Sequence, residues 1–226
     1  MPETTKNPIT LIGARAGYCW GADVSDAGKN YKRGLDCIAS DHGRTMDFPN
    51  IEAVFEGYSA RVIREFYTHI GCLPTRLQAS TRYIDYTNFD YVIPHTIKNN
   101  PEALRLYTDL MSDISRTNAD LLSLGIPKED VALELPLGMT TTIVDKRDLR
   151  NVIDMSRNRM CARANWEFRE MFVNDYLGAL KEYSKEWNYL IRLCMKPKCE
   201  VLGYCPERKG CGRYPKKEND MIVKSN

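Results

Sequence analysis

The sequence predicts a mixed α and β domain, and three stretches carry that expectation. Between Asn99 and Gly125, the residues Leu104, Tyr107, Leu110, Met111 and Ile114 recur at helical spacing. Thr140 to Val144 is a Thr-rich run with β propensity. From Ala162 to about Tyr189, Trp166, Phe168, Phe172, Tyr176, Leu177 and Leu180 mark a second long helix, its Trp and Tyr tips seeking polar partners. With 226 residues and 43% hydrophobic content, the chain can build one sizeable core. The expected organisation is one domain over 1–190 and a Cys-rich basic tail over 191–226.

Taken in order, Ile9-Thr-Leu-Ile12 reads as a short strand. Ser25 to Ser40 reads as a helix, ended by the turn signal Asp41-His42-Gly43. Val54 to Tyr67 is most simply a strand leading into a helix, with Glu56-Gly57-Tyr58-Ser59 between them. Asn99-Asn100-Pro101-Glu102 is a helix start, with a capping candidate followed by Pro and an acidic first turn. That helix runs to about Leu124, Gly125 stops it, and its stripe reads as core or subunit interface. Pro127-Lys-Glu-Asp130 opens a short helix. In the stretch from Leu135 to Trp166, Arg147, Arg150, Asp154 and Arg157 fall at intervals that place them on one helix face, with Arg159 on a neighbouring one. Such guanidiniums suit phosphate or carboxylate, or else form a solvated face of Asp–Arg pairs.

Net charge +2 gives no electrostatic reason to expect nucleic acid. No apolar run reaches membrane-spanning length and the Met1–Asn7 start is polar, so the expected location is the cytoplasm. Of the eight cysteines, Cys19, Cys37, Cys72 and Cys161 are scattered, as reduced thiols would be. The others crowd the tail as Cys194-x4-Cys199-x5-Cys205-x5-Cys211. The regular gaps make Cys199, Cys205 and Cys211 candidate zinc ligands, which would staple a segment poor in apolar residues; the alternative is a flexible reduced tail.

Leu135-Pro-Leu-Gly138, Thr140, Asp148-Leu-Arg150, Arg159 and Ala164-Asn-Trp-Glu-Phe-Arg-Glu170 resemble the C-terminal half of the flavin-dependent thymidylate synthases, as does Gln78-Ala-Ser80-Thr-Arg82-Tyr83 an earlier block. Gly13-Ala-Arg15-Ala-Gly-Tyr18-Cys19 is similar to that family's opening turn. The resemblance implies an α+β subunit with a mixed sheet flanked by helices, and a homotetramer whose active sites are shared between subunits. It implies transfer of a one-carbon unit from methylenetetrahydrofolate to dUMP, with hydride from FAD recharged by NADPH, giving dTMP without an enzyme nucleophile. Ser80 and Arg82 would bind the nucleotide phosphate, and Arg159 would hold the pyrimidine as the catalytic cation. Arg150 would contact FAD, with His69, Thr45, Gln78, Asp148 and Asp154 as further flavin candidates.

The chain also departs from that pattern. Where the family has an R-H-R triplet, this sequence offers Thr68-His69-Ile70 or Ile70-Gly71-Cys72, leaving Arg76 as the candidate substitute. Ala132 stands where a phosphate-holding arginine is expected. Asp148 and Asp154 replace asparagines, Asn165 a glutamine and Arg163 a histidine. Two rivals follow: a flavoenzyme acting on another pyrimidine nucleotide, and a non-catalytic nucleotide- or nucleic-acid-binding relative using the basic tail as a contact arm.

Overall fold

The computed structural model describes residues 2–217. The first half contains α1 (Pro8–Cys19), α2 (Ala27–Ala39), β1 (Asn50–Ser59), α3 (Ala60–Phe66), β2 (Thr75–Gln78), α4 (His95–Lys98) and α5 (Pro101–Ser123). There follow α6 (Lys128–Val131), β3 (Thr140–Asp148), α7 (Leu149–Arg159), α8 (Trp166–Glu170), α9 (Leu177–Tyr183), α10 (Lys185–Cys194) and α11 (Lys198–Leu202). The α+β class is as expected. The chain divides into two compact units, one of residues 52–69 and 75–146 and one of residues 2–51, 70–74 and 147–217.

The first unit holds most of a three-stranded sheet ordered β1-β3-β2. β2 runs antiparallel to β3, with Arg76 opposite Asp145 and Gln78 opposite Ile143. Residues 90–92 lie along the start of β3, through Thr140 N–H to Asp90 O (2.7 Å) and Val92 N–H to Gly138 O (2.9 Å). Phe89, Met111 and Met139 form the centre of a cluster ringed by Tyr86, Tyr91, Tyr107 and Ile114. The long helix α5 starts where expected, with the Asn100 side chain accepting from Glu102 N and Ala103 N. It ends before Gly125, whose φ of 83° suits glycine.

The second unit is mainly helical, and here three expectations change. Ile9 to Ile12 is not a strand; it lies in α1, which begins at Pro8 with that residue's φ preset for a helix. Ile9, Ile12 and Ala16 are all buried at i, i+3 and i+7, a helical period that a four-residue window cannot reveal. α1 crosses α2 at two glycines: a Cβ on Gly13 would stand 1.8 Å from Asn30 O, and one on Gly34 2.0 Å from Ile9 O. Only hydrogen fits at this crossing.

The second change concerns Arg147, which is on β3 and not on the helix. Alternate residues Thr141, Ile143, Asp145 and Arg147 are buried, a strand period that continues past Val144. The helix begins after Asp148, whose side chain caps it by accepting from Asn151 N (2.8 Å). Third, the single helix expected over 162–189 is broken. Asn165 caps α8, a π segment spans Met171–Tyr176, and Ser184 (φ −155°, ψ 154°) stops α9 and caps α10 by accepting from Trp187 N. Ser and Asn side chains compete with the backbone for its own donors, and here they set the boundaries. Trp187 is fully buried and donates from Nε1 to Thr5 O (2.7 Å), so the indole tip is satisfied.

Candidate functional site

In the first unit, β2 delivers the chain into a turn that presents Ser80 and Arg82. The Ser80 hydroxyl accepts from Arg82 N (3.2 Å), and Ser80 O accepts from Ile84 N (3.1 Å). Arg82 is exposed and donates from Nε to Glu129 Oε2 (2.7 Å) on α6. Its Nη1 and Nη2 have no hydrogen-bond partner among the described residues, so the outer fork is open to an anion. Lys128, next to Glu129, donates to Tyr83 O (3.3 Å) and puts a second cation beside the turn. The loop-side residue Gln78 is exposed at the end of β2, and Ala132 follows α6 without a charge.

Arg76 sits six residues before Arg82 and has a different role. Its side chain is buried, 3.7 Å from the buried Asp145, and donates to Tyr67 O (2.9 Å) and His69 O (3.4 Å). Its guanidinium also lies 4.7 Å from the Tyr67 ring centroid. The cation ties the end of α3 to the sheet, which occupies it as a substitute for the missing triplet. His69 follows α3 and is half-buried. α3 itself exposes Arg61 and Arg64, which line a shallow depression with Thr68 and Leu137. Spacing of these two arginines, one helical turn apart, was the available signal for them.

In the second unit the N-terminal end of α7 gathers several of the expected residues. Arg147 donates to Asn151 Oδ1 (2.5 Å), and Asn151 Nδ2 donates to Gly71 O (2.5 Å), so the buried cation helps pin the 70–74 segment. Cys72 (φ 56°) lies on that segment. Its residue is exposed, yet burial of the thiol, its hydrogen bond to Asp148 and the charges of Asp148, Asp47 and Asp154 push its pKa to about 11. Burial also raises the Asp148 carboxyl, against the bonds from Asn151 and Cys72 that lower it. A thiol so held is neutral at physiological pH and is no nucleophile. Asp47, Cys72 and Asp148 bring their ligand atoms within 4.8 Å of one another.

Arg150, on the first turn of α7, reaches back to Asp41 (3.6 Å) over the 41–43 turn. A Cβ on Gly43 would stand 2.5 Å from Arg150 Nη2, so glycine makes room for the guanidinium. Thr45 is buried, and its hydroxyl donates to His42 O (2.7 Å). Asp154 is exposed and pairs with Arg157 (3.4 Å), the solvated arrangement foreseen for this face. Arg159 lies with its guanidinium 4.2 Å from the Phe168 ring centroid, a stacked cation at the far end of the helix. It borders a cavity that also receives Cys161, Cys199, Cys205 and Cys211.

A family model described as "Thymidylate synthase complementing protein" matches residues 2–177. The chain is 27% identical over 237 residues to a flavin-dependent thymidylate synthase of Nitratidesulfovibrio vulgaris, covering 95% of this chain and 94% of that one. Among solved structures it is similar to a UMP/dUMP methylase, PolB, from Streptomyces cacaoi bound with 5-Br dUMP. That match has TM-score 0.68 and 17% identity, over 85% of this chain and 93% of that one. The flavin-dependent thymidylate synthase ThyX from Helicobacter pylori, complexed with FAD and dUMP, matches with TM-score 0.65 and 15% identity, over 84% and 96%. The two structural matches establish the shared fold.

Proposed function

Because the chain belongs to the thymidylate synthase complementing protein family, the flavin-dependent thymidylate synthases, we propose that it methylates dUMP to dTMP, taking carbon from methylenetetrahydrofolate and reducing equivalents from NADPH through FAD. The observation that carries the substrate assignment is the open Arg82 fork beside Ser80, two donors of the kind that grip a phosphate. The residues fit the two anionic groups. Arg82 and Lys128 suit the nucleotide phosphate, and Arg150, laid over Gly43, suits the flavin pyrophosphate. His69, Thr45, Gln78, Asp148 and Asp154 remain flavin candidates in this reading. FAD supplies the hydride when bound; the protein's own share is positioning and charge.

Arg82 and Ser80 orient the nucleotide through its phosphate. In the family's pattern Arg159 would supply positive charge to the pyrimidine, where it would favour an electron-rich ring. Cys72 stays protonated beside Asp148, which agrees with chemistry that forms no bond to the enzyme. Arg61 and Arg64 supply positive charge on α3 in a chain without the usual triplet. The exposed Leu106 (56%) and Leu110 (53%) of α5 support assembly into a homotetramer.

A second reading, methylation of another pyrimidine nucleotide, is favoured by Ala132 and by the partial engagement of Arg82 with Glu129. The test is an absorbance titration with FAD, then turnover with NADPH and methylenetetrahydrofolate in the presence of dUMP or UMP. Flavin bound at about one per chain and dTMP formed from dUMP is the expected result. Product from UMP alone would select the second reading, and bound flavin with neither product would overturn both.

A further inference from the structure

Beyond the end of α7 lies a partly open cavity of about 250 Å³ lined by four of the eight cysteines. Cys161 comes from the turn after α7, Cys199 from α11, and Cys205 and Cys211 from the loop that follows. Cys205 is buried, Cys161 and Cys199 are half-buried and Cys211 is exposed. The loop closes on itself through Cys205 N–H to Pro215 O (2.7 Å) and Lys216 Nζ to Glu207 O (2.8 Å). Gly210 leaves space for the Cys205 sulfur, 3.1 Å from where a Cβ would be, and Gly212 takes a φ of 87° that a side chain would resist. Arg163 fastens the loop to the turn after α7, donating to Lys209 O (2.6 Å). The cysteines are therefore converged by a built loop with almost no apolar core of its own.

The spread of the sulfurs bears on what they would hold. Four thiolates on one zinc, with bonds of about 2.3 Å, bring their sulfurs to roughly 3.8 Å from one another. Among the described residues, the group of ligand atoms drawn within 4.8 Å is Asp47, Cys72 and Asp148, and not these four. The partly open cavity of about 250 Å³ that the four cysteines line leaves room for a group larger than one ion. Four thiolates arranged around such a volume suit the corners of an iron–sulfur cubane. Its core and four thiolates carry about −2 in the common oxidised form. Arg157, Arg159, Arg163, Lys198 and Arg213 line the cavity; Arg157 pairs with Asp154 (3.4 Å) and Arg163 lies 3.9 Å from Glu207, which still leaves the lining net positive and suited to an anionic group.

We propose that Cys161, Cys199, Cys205 and Cys211 ligate a [4Fe–4S] cluster, extending the expected tail trio to a fourth ligand from the turn after α7. The cluster staples the tail to the turn that follows Arg159. Cys194 is left out: it does not line the cavity, and burial raises its thiol pKa.

The test is iron and acid-labile sulfide analysis of the full chain purified without oxygen, with low-temperature electron paramagnetic resonance after dithionite reduction to separate cluster from flavin. The expected result is about four iron and four sulfide per chain. Cys161→Ser and Cys211→Ser should each lose most of that iron, while Cys37→Ser and Cys194→Ser retain it. If Cys161→Ser does not fold, Cys211→Ser on the exposed loop decides. Protein isolated without metal is treated with ferrous iron and sulfide, and failure to take up both overturns the assignment. So does zinc at about one per chain without iron, or iron content unchanged in both ligand variants.

Discussion

Arg82 and Arg76 are the same residue type on neighbouring turns of chain, and their surroundings give them opposite roles. Arg82→Ala removes an open fork from an exposed turn, so it should weaken dUMP binding by about 2 kcal/mol, roughly thirtyfold in Kd, and leave folding intact. Calorimetric titration with dUMP checks it; unchanged affinity would remove Arg82 from the site. Cys72 makes a second prediction at this scale. With its pKa pushed to about 11, it should alkylate slowly with iodoacetamide at pH 8, and mass-spectrometric mapping that finds it among the fastest thiols would contradict this. The cause includes Asp148, whose own carboxyl is raised by burial. A raised carboxyl pKa means that the folded state holds the proton more tightly, so this group's contribution to stability is present below its unfolded pKa and lost as pH rises through its folded value. Asp148→Asn keeps a capping side chain and removes the charge, so it should hold or raise the urea midpoint at pH 7 and speed alkylation of Cys72. A lower midpoint would show that the carboxylate is needed as a charge.

The elements are set as much by what their ends can bond as by what their faces bury. α7 begins at Leu149 because Asp148 accepts the Asn151 amide, and α10 begins at Lys185 because the Ser184 hydroxyl accepts the Trp187 amide. The α1–α2 crossing depends on the two glycines. Gly34→Ala would drive a methyl into Ile9 O, so it should cost about 3 kcal/mol or more in denaturant unfolding, or prevent folding. A loss below ~1 kcal/mol would mean that the helices separate easily, against so close a crossing. The helical spacing that located α5 was not legible at α1, because four residues starting at Ile9 satisfy strand and helix alike. Spacing misplaced Arg147 because a charged residue on the buried side of a strand imitates the first turn of the helix after it.

At the level of the molecule, α5 is 23 residues long and buries only Met111 and Asn118 within this chain. Large apolar side chains left in water on a long helix need a partner surface. The double variant Leu106→Glu with Leu110→Glu should therefore turn the proposed tetramer into smaller species in sedimentation, with helix content unchanged. A tetramer that survives both charges would place the interface elsewhere. Among the described residues no helix is long and apolar enough to cross a membrane.

The amino-acid sequence by itself determined the family, because motif order is a property of the chain: Ser80-x-Arg82-Tyr83, Arg150 and Arg159 are legible wherever they end up in space. It also determined the capped start of α5, where the bonding groups lie within three residues of each other. The tertiary structure alone decided that Arg76 is held by Asp145 and Tyr67, that Asp148 faces Cys72, and that Cys161 joins the cysteines of the tail. Each of these depends on partners from distant elements, and a side chain's charge, reach and burial are set by those partners and not by its neighbours in the chain.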